Sequence, residues 1–158
     1  MPRKAVPILI LLAALSACVP EGFTRGAALL PATGPMAEAH AQGLRVVFTG
    51  ATSGSGNLYI TMPDGEKVSG PYGTQSRSSW DAAMGSGEPG GGGVAITPAD
   101  WKALYGKTDL VAGQIAGEAL CTGDRGTAMR VQYVVDPFNN TGFGVAKDNR
   151  GNLYRLKF

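Results

Sequence analysis

Three short stretches in which glycine closely follows aspartate interrupt runs of alternating apolar and polar residues: Asp64-Gly65, Asp124-Arg125-Gly126 and Asp148-Asn149-Arg150-Gly151. Aspartate hydrogen-bonds its own turn backbone and glycine takes a positive φ without steric cost, so each stretch reads as the tight end of a β-hairpin. The runs they join are Asn57–Met62 with Glu66–Tyr72, Val111–Cys121 with Thr127–Val135, and Gly142–Lys147 with Asn152–Phe158. Successive side chains of a strand point to opposite sides, which puts Met129, Val131, Tyr133 and Val135 on one face. Leu44–Phe48 adds one more run ahead of them. Consecutive strands joined mostly by hairpins predict a mainly β fold, an antiparallel meander of about seven strands forming a small sandwich or a partly open barrel.

Gly73–Leu110 breaks this rhythm and reads as an insertion into the β domain. Ser78–Met84 can form one or two helical turns, and Gly90–Gly93 is a tetraglycine. Thr97-Pro98-Ala99-Asp100 then supplies an N-cap, a proline at the first helical position and an acid in the first turn, which predicts a helix over Pro98–Tyr105 ending at Gly106. Long loops carry function disproportionately, so Trp80 and Trp101 are the candidate interaction residues. Trp101, in the first turn of the predicted helix, is expected to anchor the insertion on the sheet; Trp80 is expected to be the more exposed of the two.

The N-terminus has a different character. Arg3 and Lys4 precede Ala5–Leu15, which is almost wholly apolar, and small residues then lead to Cys18. Eleven residues rise only about 16 Å as a helix, roughly half a bilayer core, so this is an export leader and not a span. Leu15-Ser16-Ala17-Cys18 resembles the lipobox of bacterial lipoproteins. That resemblance implies cleavage after Ala17, a leader of Met1–Ala17, and Cys18 as the lipidated first residue of the mature chain. Val19 follows Cys18 where many enteric lipoproteins carry an inner-membrane retention aspartate, which implies the outer membrane, facing the periplasm. From Val19 to Gly43 there are three prolines, several glycines and many alanines without strand alternation, so residues 18–43 are expected to be the lipidated cysteine and a flexible tether, with a single β domain over residues 44–158.

Charge and inventory remove most chemistry. Of 14 Lys and Arg against 12 Asp and Glu, Arg3 and Lys4 fall in the leader, leaving the remainder balanced and giving a nucleic-acid partner no electrostatic basis. The lone histidine, His40, sits in the expected tether, and with Cys18 acylated the second cysteine, Cys121, has no disulfide partner. No His/Cys metal cluster and no Ser-His-Asp set can be assembled from these residues, so no metal, cofactor or catalytic residue is expected. Cys121 shares a face with Ile115 and Ala119 and reads as a buried small hydrophobe. Carboxylate pairs stay conceivable, with Asp64, Glu66, Asp81, Asp100, Glu118, Asp124 and Asp136 to draw on. Val46–Gly56 resembles the T-G-x-x-x-G-x-G fingerprint of short-chain dehydrogenases, but a strand and a turn follow where that fingerprint needs a helix, and the glycines read as an inter-strand loop. The closing Tyr154-Arg155-Leu156-Lys157-Phe158 is similar to the last strand of outer-membrane barrels, whose strands of about 9–11 residues, with lipid-facing positions alternating, are longer than most runs here.

Gly54-x-Gly56, Pro63-Asp64-Gly65-Glu66, Gly70-x-Tyr72, Asp124-Arg125-Gly126-x-x-Met129 and Gly142-x-Gly144 with Gly151-x-x-Tyr154 together look like small uncharacterised lipoproteins of Gram-negative bacteria. No activity attaches to that group, so the resemblance implies none. The expectation is a membrane-anchored, non-enzymatic envelope lipoprotein with a structural or protein-interaction role. Its partners would be membrane lipid, through the anchor, and an unidentified envelope protein or cell-wall component. The alternative is a periplasmic accessory enzyme or inhibitor acting on cell-wall or protein substrates, with acidic residues in a cleft formed by the insertion.

Overall fold

Alternating runs can bury their apolar face by stacking two layers or by curling around it. The computed structural model, which describes residues 22–40, 42–52, 54–86, 93–107 and 112–158, does the second. The described residues form eight strands, β1 (Phe23–Thr33), β2 (Leu44–Thr52), β3 (Ser55–Thr61), β4 (Lys67–Gln75), β5 (Ile115–Gly123), β6 (Ala128–Asp136), β7 (Thr141–Asp148) and β8 (Leu153–Lys157). Three short helices accompany them: α1 (Pro35–Ala39), α2 (Arg77–Ser86) and α3 (Pro98–Tyr105). Each strand pairs antiparallel with the next, and β1 pairs with β8, so the meander is a closed barrel.

The hairpin ends follow the expected turn chemistry. Gly65, Gly126 and Gly151 have φ of 85°, 93° and 82°, a region that side chains with a Cβ avoid. Asp64 Oδ1 accepts the Glu66 amide at 3.0 Å, and Asp148 Oδ1 accepts the amides of Arg150 at 2.9 Å and Asn152 at 3.0 Å. The segment that resembled a dinucleotide fingerprint is the β2–β3 hairpin, in which Thr52 pairs with Ser55.

An eight-stranded barrel has an interior just wide enough for side chains to fill. Leu29, Val46, Phe48, Leu58, Ile60, Val68, Tyr72, Val131, Tyr133, Tyr154 and Leu156 fill it. The Phe48 ring meets those of Tyr72 and Tyr133 edge-on, at 5.1 and 5.5 Å. Outward positions away from the helices carry Arg45, Asn57, Thr61, Lys67, Arg155 and Lys157, all exposed. This apolar inside and polar outside is the reverse of the partition in outer-membrane barrels.

Two expectations need correcting. Residues 18–43 are not a tether throughout, and the domain does not start at residue 44, because Phe23–Thr33 is strand β1 and Pro35–Ala39 is α1. Leu29, fully buried, pairs with Leu44 on one side and Leu156 on the other. Pro31 is accommodated where β1 has left β2 and shifts register against β8, so its missing N–H breaks no ladder on the β2 side. The expected strand start at Val111 lies outside the described residues, and β5 begins at Ile115.

β1 covers two sheet edges at once. A chain beginning at Gln42 should therefore lose its cooperative thermal transition and aggregate through the exposed edges of β2 and β8, whereas one beginning at Gly22 should melt in a single transition. Scanning calorimetry of the two chains checks this; equal, cooperative melting would show β1 to be dispensable.

Candidate functional site

Both helices of the insertion pack on the barrel, and α3 adds polar contacts to it. At its start Asp100 N donates to Thr97 Oγ1 at 3.3 Å and Thr97 N donates to Asp100 Oδ2 at 2.8 Å, a reciprocal cap that satisfies two of the helix's orphan donors. Gly106, at φ 71°, ends it. Held this way, α3 lays Trp101 over the outer face of β6, where its indole Nε1 donates to Gln132 Oε1 at 2.9 Å. The Tyr105 hydroxyl donates to the Gly144 carbonyl at 2.9 Å, and Asp100 pairs with Lys147 of β7 at 3.1 Å. Trp80 of α2 stands edge-on to Trp101 with ring centroids 5.1 Å apart. Both rings bury Ala116, Val134, Val145 and Leu153, the outward residues of β5 to β8, in a second core.

Both tryptophans are 1 % exposed. Trp101 is the expected anchor, but the expectation that Trp80 faces solvent is corrected: with Trp101 it forms a single aromatic unit against the sheet, and neither ring is available as a recognition patch.

A polar cluster that the sequence did not announce lies on the same outer face. Arg130 Nε donates to Glu118 Oε1, and Gln75 Nε2 donates to Glu118 Oε2 at 2.5 Å. Among the described residues, Gln75 Oε1, Arg130 Nη1 and Gln132 Nε2 are buried without a hydrogen-bond partner. These residues occupy outward strand positions, where alternation predicts exposure; on the face that α2 and α3 cover, Arg130 and Gln132 are buried and Gln75 and Glu118 half-buried. The Glu118 carboxylate is thus ion-paired with Arg130 and also accepts from Gln75. Among the described residues, a neighbouring depression of about 120 Å³ is lined by Val94, Leu120, Cys121, Thr122, Ala128, Met129 and Arg130.

The turn end of the barrel is closed by two buried carboxylates, Glu66 and Asp148. Glu66 Oε1 accepts the amides of Arg125 at 3.1 Å and Thr127 at 2.9 Å, while Oε2 accepts the Thr127 hydroxyl at 2.6 Å and Arg150 Nη2 at 3.4 Å. One side chain thus ties together the β3–β4, β5–β6 and β7–β8 turns. A Cβ on Gly123 would fall 2.0 Å from Glu66 Oε1, so the glycine there makes room for the carboxylate. Asp148 Oδ2 accepts the Tyr154 hydroxyl at 2.9 Å and Asn152 Nδ2 at 2.8 Å. Asn152 Oδ1 in turn accepts the Met36 amide of α1 at 2.8 Å.

At the opposite end the aromatic interior comes to the surface. The Arg25 guanidinium of β1 lies 4.5 Å from the Phe158 ring centroid and donates to the Asn140 carbonyl at 2.6 Å. The β6–β7 turn beside it presents Phe138, 88 % exposed, and Ile115 at the start of β5 is 42 % exposed.

Cys18 lies outside the described residues. Cys121 is buried, and burial pushes its thiol up to about 12, which leaves almost no thiolate at neutral pH. Among the described residues no group of His, Cys, Asp and Glu could hold a metal ion. Comparison with protein-family profiles, curated proteins and solved structures found no match to the chain.

The Thr127 hydroxyl bond, ahead of the opposing effect of burial, holds the Glu66 carboxyl below its ordinary value of 4.5. A carboxylate with a lowered folded value adds stability that is present above 4.5 and lost as pH falls through the folded value. Glu66→Gln should therefore cost roughly 1–3 kcal/mol at pH 7, as expected for losing charge-assisted bonds in a buried site. Urea titrations from pH 7 downward should show wild type and variant converging below 4.5. A gap that stays constant into acid would deny the carboxylate its role.

Proposed function

We propose that this chain is a membrane-anchored envelope lipoprotein, acylated at Cys18, whose barrel has a structural or protein-interaction role rather than an enzymatic one. The observation that carries the reading is Leu15-Ser16-Ala17-Cys18 placed directly after a basic and then apolar leader. Each buried methylene of an acyl chain is worth about 0.8 kcal/mol, so two or more chains hold a small domain on a bilayer essentially permanently. Location at the outer membrane, facing the periplasm, follows from Val19 in the position after the cysteine.

What supports a non-enzymatic role is how the buried carboxylates Glu66 and Asp148 and the half-buried Glu118 are used. Glu66 and Asp148 are occupied by backbone amides and hydroxyls of the turns, and Glu118 by Arg130 and Gln75. A general acid or base needs a carboxyl group with a free face toward a substrate. The accessory-enzyme alternative requires acidic residues in a cleft formed by the insertion, whereas the described part of the insertion packs Trp80, Ile96 and Trp101 against the sheet.

Cys18→Ser should abolish labelling with radioactive palmitate and leave the leader uncleaved. Label incorporation followed by gel mobility of the full chain measures both effects. Undiminished labelling of the variant would refute the anchor.

A further inference from the structure

We infer that the barrel rests on the lipid surface end-on, with the β6–β7 turn at Phe138 and the neighbouring Ile115 seated among the headgroups. The inference rests on acylation at Cys18 and goes further, assigning which surface of the barrel faces the bilayer.

The geometry starts from β1. Because β1 begins at Phe23 and Phe23 pairs with Gly50, the chain enters the barrel at the end where β2 reaches the β2–β3 turn. Antiparallel order puts the end of β4, the start of β5, the β6–β7 turn and the end of β8 at this same end. The Arg25 bond to the Asn140 carbonyl ties the first residues of β1 directly to the turn that carries Phe138. Seven peptide units separate Arg25 from Cys18, and an extended chain covers at most about 3.6 Å per residue, so the acylated residue lies within about 25 Å of this contact. A short leash of this kind holds the chain-entry end toward the membrane; the opposite end, with its Glu66 and Asp148 networks, is held away.

The chemistry of the rim matches that placement. Of the large hydrophobic residues exposed on the described surface, Tyr59, Ile115, Leu120 and Phe138, the two at this end include by far the most exposed. They are contiguous: Ile115 pairs with Val135 immediately before the turn, and Gly113 lies against the Phe138 ring, which is 3.6 Å from where a Cβ on that glycine would sit. Phe138 is also rigidly presented. Asp136 Oδ1 accepts the amides of Phe138 at 2.9 Å and Asn139 at 3.2 Å, and Oδ2 accepts Asn139 Nδ2 at 2.6 Å, so the turn is preformed with its ring outward. Arg25 and Lys157 lie at the same end and offset Asp136 before an anionic headgroup layer. An aromatic ring held out beside cations suits an interface, where the ring sits at headgroup depth and the charges stay in water.

The test uses the full chain, exported and purified from bacterial membranes and placed in vesicles of phosphatidylethanolamine and phosphatidylglycerol with brominated acyl chains. Acylation is verified by mass. Phe138→Trp and Tyr59→Trp each add one exposed indole to a protein whose own two are buried. The indole at 138 should be blue-shifted and lose most of its emission to the bromines, and the indole at 59, on the barrel wall, should keep its emission. An acylated protein with position 138 unquenched, or with 59 quenched equally, overturns the end-on seating while leaving the anchor intact. A protein that carries no acyl group overturns the anchor and the seating with it.

Discussion

β1 hydrogen-bonds to β2 along one edge and to β8 along the other, and the rest of the molecule depends on that double pairing. With β1 in place, all eight strands have two neighbours and the sheet has no free edge. The closed surface then separates an interior of aliphatic and aromatic side chains from a polar exterior. Leu29 sits at the join, buried between Leu44 and Leu156, and seals the seam from within. Closure also supplies the outward faces of β5 to β8 on which α2 and α3 dock, and so the second core around Trp80 and Trp101.

The two ends of the barrel are chemically different. Three turns meet at one end, where Glu66 and Asp148 spend their lone pairs on backbone amides and hydroxyls, with α1 folded against them through Asn152. Such a network is fully satisfied and therefore rigid, since any rearrangement would strand a buried carboxylate without partners. At the other end, Arg25 sits over Phe158, and the preformed Asp136 turn holds Phe138 outward. The chain enters there. The barrel is thus asymmetric, with a rigid, hydrogen-bonded turn network at one end and an exposed aromatic rim at the other.

The strands from β2 onward were legible because their apolar residues alternate, and because three of the hairpins close on an Asp and Gly whose roles are local. The α3 cap was legible for the same reason: Thr97, Pro98, Asp100 and Gly106 act within one turn of themselves. β1 was hidden by its side chains. Its inward positions include Arg25 and Ala27, one charged and one small, and Pro31 interrupts the pattern, so its strand character comes from partners far along the chain. The burial of Trp80, Arg130 and Gln132 was equally invisible, because outward strand positions read as solvated until another element covers them. Cys121, by contrast, was placed by alternation alone.

Hydrogen exchange followed by mass spectrometry on the intact chain tests barrel closure most directly, because an amide bonded across a closed sheet opens only with the whole barrel. The account predicts that residues 27–30 of β1 and residues 153–156 of β8 exchange in the same slow class as the middle of β5 and β6. Rapid exchange in β1, at the rate of an unstructured segment, with β3 to β6 still protected, would contradict it.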